Sequence, residues 1–151
     1  MKVLMVCLGN ICRSPMAEGI MRHKANAVGK SWQIDSAGTS NFHVDEAPDR
    51  RSVKKMKEYN IDISSLRGRQ FSVSDFEAFD LILAMDESNF SNIMKLAKND
   101  DHRNRVRMIL EYTFPGQRMS VPDPYYGGES GFENVYRLLD SACDKILEEH
   151  S

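Results

Sequence analysis

The sequence predicts a single α/β domain built on a parallel sheet with helices on both faces. Three observations carry that prediction. Short apolar, β-branched runs alternate with longer stretches of helical periodicity from one end of the 151 residues to the other. The runs are apolar at consecutive positions, as strands buried on both sides are. Hydrophobic residues make up 41% of the chain, enough for one core, and no repeat, low-complexity tract or linker divides it, so residues 1–151 read as one domain.

Val3 to Val6 is the first strand, ending at a turn that contains Gly9. Pro15, directly after Ser14, suits the start of a helix, where a missing N–H costs nothing. Met16, Ala17, Ile20, Met21, Ala25 and Val28 then recur at helical spacing, and Gly29 stops the run. Trp32 to Asp35 is the second strand, followed by the loop Ser36-Ala37-Gly38-Thr39-Ser40. Pro48 to Tyr59 reads as a helix with Val53 and Met56 inward. A short helix is expected near Ser72, where Ser72-Val73-Ser74-Asp75 resembles a capping box. Leu81 to Met85 is the third strand and Val106 to Leu110 the fourth. Between them Asp86-Glu87-Ser88 opens a helix that carries Phe90, Ile93, Met94 and Ala97 on one side, with Asp86 as its N-cap. Ser130-Gly131-Phe132-Glu133 has the form of a capping box for the last helix, whose stripe is Phe132, Val135, Tyr136, Leu139, Cys143 and Ile146.

Composition narrows the function. A net charge of −2 gives no reason to expect nucleic acid or an anionic membrane as partner, and the basic stretch Arg50 to Lys55 reads as a solvated helix face. No segment approaches the ~20 apolar residues of a membrane span. Val3 to Val6 after Lys2 imitates the start of a signal peptide, but the run breaks at Gly9-Asn10 and no cleavage site follows. Three cysteines, an odd number, argue against a secreted disulfide framework, and the spacing of Cys7 and Cys12 does not suit a zinc knuckle. A cytoplasmic protein without metal or cofactor is expected, with Cys143 a core residue.

Two stretches resist regular structure: Cys7 to Ser14, and about Glu111 to Glu129, which holds Pro115, Gly116, Pro122, Pro124, Gly127 and Gly128. Long irregular segments are often functional. Both follow strands, so both can meet where ligands bind in an open α/β sheet, beyond the carboxyl ends of the strands.

Cys7-Leu8-Gly9-Asn10-Ile11-Cys12-Arg13-Ser14 sets a thiol at a strand end and an arginine at the mouth of a helix. A loop of this length can curl so that its amides converge on one point, helped by the unusual dihedrals that Gly9 and Asn10 tolerate. The helix end adds free donors and a positive dipole. Arg13 supplies a planar fork that matches two phosphate oxygens. The result is a cup for a tetrahedral dianion with sulfur at its base, in which Cys7 is the nucleophile and Ser14 donates to that sulfur.

The run Val6-Cys7-Leu8-Gly9-Asn10-Ile11-Cys12-Arg13-Ser14-Pro15 resembles the signature of low-molecular-weight protein tyrosine phosphatases, and the resemblance continues through Asp35 to Thr39, Met85 to Asn89 and Asp123 to Gly127. It implies a four-stranded sheet in the order 2-1-3-4 with the phosphate loop after strand 1. It implies hydrolysis of phosphotyrosine in proteins and of small aryl phosphates through a cysteinyl-phosphate, releasing inorganic phosphate, by a protein expected to be a monomer. Asp123 becomes the general acid and base, a role that outweighs the Asp-Pro turn this dipeptide otherwise signals. Asn10 and Ser36 would hold the loop open, and Leu8, Ile11, Phe42, His43, Tyr125 and Tyr126 would wall the substrate slot. Cys12 resembles the family's partner in a reversible disulfide with Cys7. Many relatives carry a histidine where Leu66 stands, so any bond it makes to the loop must be replaced or absent.

Two enzymes on this scaffold and one non-enzyme are rivals. Arsenate reductases need further cysteines in mid-chain, and none lies between Arg13 and Ala142. Arginine phosphatases typically have threonine at the position of Ile11. A phosphate-binding module would need neither Cys7 nor Asp123.

Overall fold

Four strands, β1 (Lys2–Cys7), β2 (Gln33–Gly38), β3 (Leu81–Ala84) and β4 (Val106–Met108), form one parallel sheet in the order β2-β1-β3-β4. The structure, a computed structural model, describes residues 1–151 except the side chain of Tyr126. Consecutive apolar residues serve two cores because strand side chains alternate between faces. Val3, Met5 and Leu83 face one side, where α1 (Arg13–Ala27), α2 (Arg50–Glu58) and α6 (Gly128–Glu149) contribute Met16, Met56 and Phe132. Leu4, Val6 and Ile82 face the other, against Phe76 of α3 (Asp75–Ala78) and Ile93 of α4 (Glu87–Leu96). Among the described residues no helix is long and apolar enough to cross a membrane.

This order matters for the site. After β1 the chain crosses to β2 on one side and later returns to β3 on the other, so the connections diverge at the carboxyl end of β1, where Cys7 stands.

Several expectations need correction. Strand β2 runs on to Gly38, so Ser36-Ala37-Gly38 pairs with Met5-Val6-Cys7 and is not a loop. The fourth strand stops at Met108, and Ile109–Glu111 turns into a 3-10 helix that drives Ile109 and Leu110 into the core. Val28 lies past α1 and is exposed, while Gly29, at φ 74°, ends the helix in the left-handed conformation that glycine allows. Helix α5 (Asp100–Asn104), capped by the Asn99 side chain, was not foreseen. Helix α6 starts at Gly128 with Gly127 as N-cap, so Ser130 to Glu133 lies within it and is no capping box. At α3 only half the box forms, the Asp75 carboxylate accepting from the Ser72 N–H at 2.9 Å.

Candidate active site

The eight residues between β1 and the body of α1 are held open from outside. Three loop carbonyls accept bonds from neighbouring segments, Cys7 from Thr39 N–H (2.9 Å), Leu8 from Ser40 (3.0 Å) and Ile11 from Asp49 (2.7 Å), and the Cys12 carbonyl accepts from Met16 N–H (3.3 Å) in the first turn of α1. With these carbonyls engaged, the N–H groups of Gly9, Ile11, Cys12 and Arg13 have no protein acceptor among the described residues. A short loop with this many unengaged amides can serve as an anion nest. Gly38 makes the close packing possible, since a Cβ there would sit 2.7 Å from the Leu8 carbonyl oxygen.

A chain of hydrogen bonds beneath the loop leads to the sulfur. The Arg69 N–H donates to Asn10 Oδ1 (3.0 Å), and Asn10 Nδ2 donates to Ser14 Oγ (2.7 Å). Ser14 Oγ in turn lies 3.0 Å from Cys7 Sγ, and to a thiolate at that position the hydroxyl is the donor. The Asn10 N–H also points at that sulfur, at 3.2 Å. Asn10 is buried and left-handed, at φ 59°, one of the few side chains that tolerates the turn. Leu66 packs against the core, and the Arg69 backbone supplies the outer bond to the loop network.

Arg13 is buried, with Nη1 donating to Asp86 Oδ2 (2.7 Å) and to the Val121 carbonyl (2.9 Å). Its Nε and Nη2 have no partner among the described residues, which leaves one edge of the fork for two oxygens of a ligand. Asp86 does double service, since its Oδ1 also caps α4 through the Asn89 N–H at 2.7 Å. Val121 in turn donates its N–H to the Met85 carbonyl at 2.8 Å, fixing the long loop two residues before Asp123.

Asp123 Oδ1 caps the 3-10 helix Pro124–Tyr126 through the Tyr125 N–H (3.0 Å), while Oδ2 has no bond among the described residues. Arg51 ties this segment to the phosphate loop. It donates to the Tyr125 carbonyl (2.8 Å), lies 4.9 Å from the Tyr125 ring centre, and grips Asp49, whose own N–H reaches Ile11. Hydrogen bonds from Arg51 hold the Asp49 carboxyl below its usual range.

Ten of the expected residues line one cavity of about 330 Å³: Cys7, Leu8, Gly9, Ile11, Cys12, Arg13, Phe42, His43, Asp123 and Tyr125. Asn10 and Ser14 lie behind it. Cys7 (3% exposed) and Arg13 (4%) are at the floor, and Leu8 (44%), Phe42 (74%) and Tyr125 (43%) stand at the rim. Cys12 is buried, and burial with the Asp49 charge pushes its thiol up to about 12, so it is protonated at neutral pH. Cys143 is fully buried in the core, and burial pushes its thiol up as well. Two expectations fare differently. Ser36 is not bonded to the loop: its hydroxyl donates to Glu18 Oε1 at 2.6 Å, the second strand having carried it along Met5 instead of to the cup. The rim role of Tyr126 falls on a side chain outside the described residues. A larger cleft of about 850 Å³ beside β4 contains none of the expected residues.

Sequence reasoning missed Val121, Asp49, Arg51 and Arg69 as supports of the site. Three act through backbone groups on segments distant in sequence, and no local pattern marks such contacts.

A family model described as low molecular weight phosphotyrosine protein phosphatase matches residues 2–150. A low molecular weight phosphotyrosine protein phosphatase of Schizosaccharomyces pombe is 45% identical over 150 residues, covering 97% of this chain and 95% of its own. The crystal structure of a protein tyrosine phosphatase from Entamoeba histolytica superposes with a TM-score of 0.92 at 35% identity, covering 99% of this chain and 96% of that one. A Drosophila arginine phosphatase reaches 0.93 at 32% identity, covering 100% and 98%.

Proposed function

The chain belongs to the low molecular weight phosphotyrosine protein phosphatase family, a family of phosphomonoester hydrolases, and from that premise we propose how its residues hydrolyse phosphotyrosine. Phosphate enters the cup with its oxygens on the loop amides and on the Nε–Nη2 edge of Arg13. Cys7 attacks phosphorus in line with the phenolic oxygen. As the phosphorus–oxygen bond breaks, Asp123 Oδ2 gives its proton to the leaving phenolate. The same carboxylate then takes a proton from the water that attacks the phosphorus–sulfur bond. Cys7 departs as a thiolate, stabilised by the Ser14 hydroxyl and the Asn10 N–H. Charge on the transferring group meets donors already in place, so little reorganisation is needed.

The observation that carries this reading is the relay from Arg69 through Asn10 and Ser14 to Cys7. It holds a hydroxyl 3.0 Å from a sulfur on the floor of an anion cup, ready to donate to the thiolate, an arrangement that a binding module would not need. The depth supports phosphotyrosine over phosphoserine: with the rim exposed and Cys7 buried, an aryl ester spans the slot, whereas a seryl ester leaves phosphorus short of the sulfur. The arginine phosphatase shares the frame, so the choice between these substrates rests on the walls. Here the apolar Ile11 side chain and Tyr125 favour an aromatic ring. An odd number of cysteines, all thiols, supports a reducing compartment such as the cytoplasm.

The test is Cys7→Ser. Turnover of an aryl phosphate disappears while inorganic phosphate still binds, and the variant retains phosphotyrosine proteins from an extract. Undiminished turnover in that variant ends the proposal.

A further inference from the structure

A second cavity, of about 710 Å³, adjoins the catalytic slot and shares Ile11, His43 and Tyr125 with it. Its far wall is the first turn of α2, with Arg50 and Lys54 one turn apart on an exposed helix face. The charges around it are unevenly paired. Asp49 is gripped by Arg51 at 3.0 Å, and Glu46 lies 3.1 Å from the His43 ring nitrogen. Arg50 and Lys54 have no carboxylate partner among the described residues, whereas Lys55 on the same helix bonds Glu58 and Glu133. Two unpaired cations thus face a groove that begins where the phosphotyrosine ring must lie. The groove is also rigidly placed. The Asp49 N–H fastens α2 to the Ile11 carbonyl at 2.7 Å, and Arg51 fastens it to the Tyr125 carbonyl at 2.8 Å.

We propose that this groove receives an acidic side chain flanking the phosphotyrosine, so that Arg50 and Lys54 select phosphoprotein sites with a glutamate or aspartate on one side. The inference rests on the phosphotyrosine reading above. Two partly exposed cations contribute modestly, but only a carboxylate gains from both. A neutral side chain gains nothing, and a basic one is repelled.

The experiment compares kcat/KM for three phosphotyrosine peptides, with glutamates before the tyrosine, glutamates after it, or glutamines at both, and uses a small aryl phosphate as reference. One glutamate peptide is expected to exceed the glutamine peptide about three- to ten-fold. The gain resides in KM and shrinks as salt rises. In the double variant Arg50→Gln, Lys54→Gln the gain disappears while the aryl phosphate rate stays at the wild-type level. Equal kcat/KM for all three peptides, or a gain that survives in the double variant, overturns the proposal. Failure of the phosphotyrosine reading looks different, since the wild type would then turn over none of the peptides.

Discussion

Arg13 commits one guanidinium nitrogen to the protein and leaves the opposite edge for ligand. Its Nη1 bonds to Asp86 and Val121 fix the plane of the fork, so an anion on the open edge would not have to order a long side chain. Asp123 is built the same way. One carboxylate oxygen is occupied as a helix cap and the other is open, so the proton-carrying oxygen is held by its own backbone. In the proposed mechanism it protonates the leaving oxygen, and the value of that proton depends on how badly the phenolate needs it. Asp123→Ala is therefore expected to lower kcat about 10²–10⁴-fold on an unactivated phenyl phosphate. The loss shrinks toward unity on esters whose phenol is already acidic. Rates measured across a series of substituted phenols check this, and an equal loss on every member removes the acid role from Asp123.

Among the elements, α2 connects the reaction to the scaffold, and its grip on α6 is electrostatic. Glu133 of α6 accepts from Arg137 (2.7 Å), Tyr59 (2.5 Å) and Lys55 (3.0 Å), beside the Tyr59–Tyr136 ring stack at 3.6 Å. Those bonds, Arg137 first, hold its carboxyl down to about 2 from an ordinary 4.5. The folded state thus holds fewer protons at this site than the unfolded chain. The stabilisation is present above about 4.5 and is lost as pH falls toward 2. About a quarter of the Glu133 side chain (26%) is open to solvent, which screens these charges, so the clamp contributes on the order of 1 kcal/mol. Glu133→Gln should lower the melting temperature at pH 7, and the gap from wild type should close progressively as the pH falls through that window. A gap that does not change with pH assigns the clamp to packing. Glu133 also shows how an element signal misleads. Four residues in the order Ser-Gly-Phe-Glu match a capping box, yet the chain enters the helix earlier, through Gly127 and a Gly128 at φ 69°, and the acidic residue is left free to reach α2.

At the scale of the whole molecule, what could be read in the chain and what could not divide by distance. The presence of four strands, the stop at Gly29, the cap at Asp86 and the cysteine loop depend on neighbours a few residues away and were legible, whereas the ends of the second and fourth strands were not. The strand order came from family resemblance, because apolar runs do not say which strand lies beside which. Contacts such as Arg13 with Val121, 108 residues apart, and Arg69 with Asn10, 59 apart, exist only once the sheet has formed. The site is therefore a place where distant segments meet: β1, β3, α2 and the loop after β4 all terminate on it. An anion bound there joins them without any new protein contact, and its binding energy becomes folding stability. Inorganic phosphate at 100 times its dissociation constant should add about 2.7 kcal/mol, which for a chain of this length raises the melting temperature by roughly 5–10 °C. Cys7→Ser keeps this shift, because the amides and Arg13 still hold the oxygens. Arg13→Ala starts less stable, with Asp86 unpaired, and gains little from phosphate. Thermal unfolding of the three proteins across a phosphate titration decides it: an equal phosphate shift in Arg13→Ala would place the anion elsewhere than in the cup.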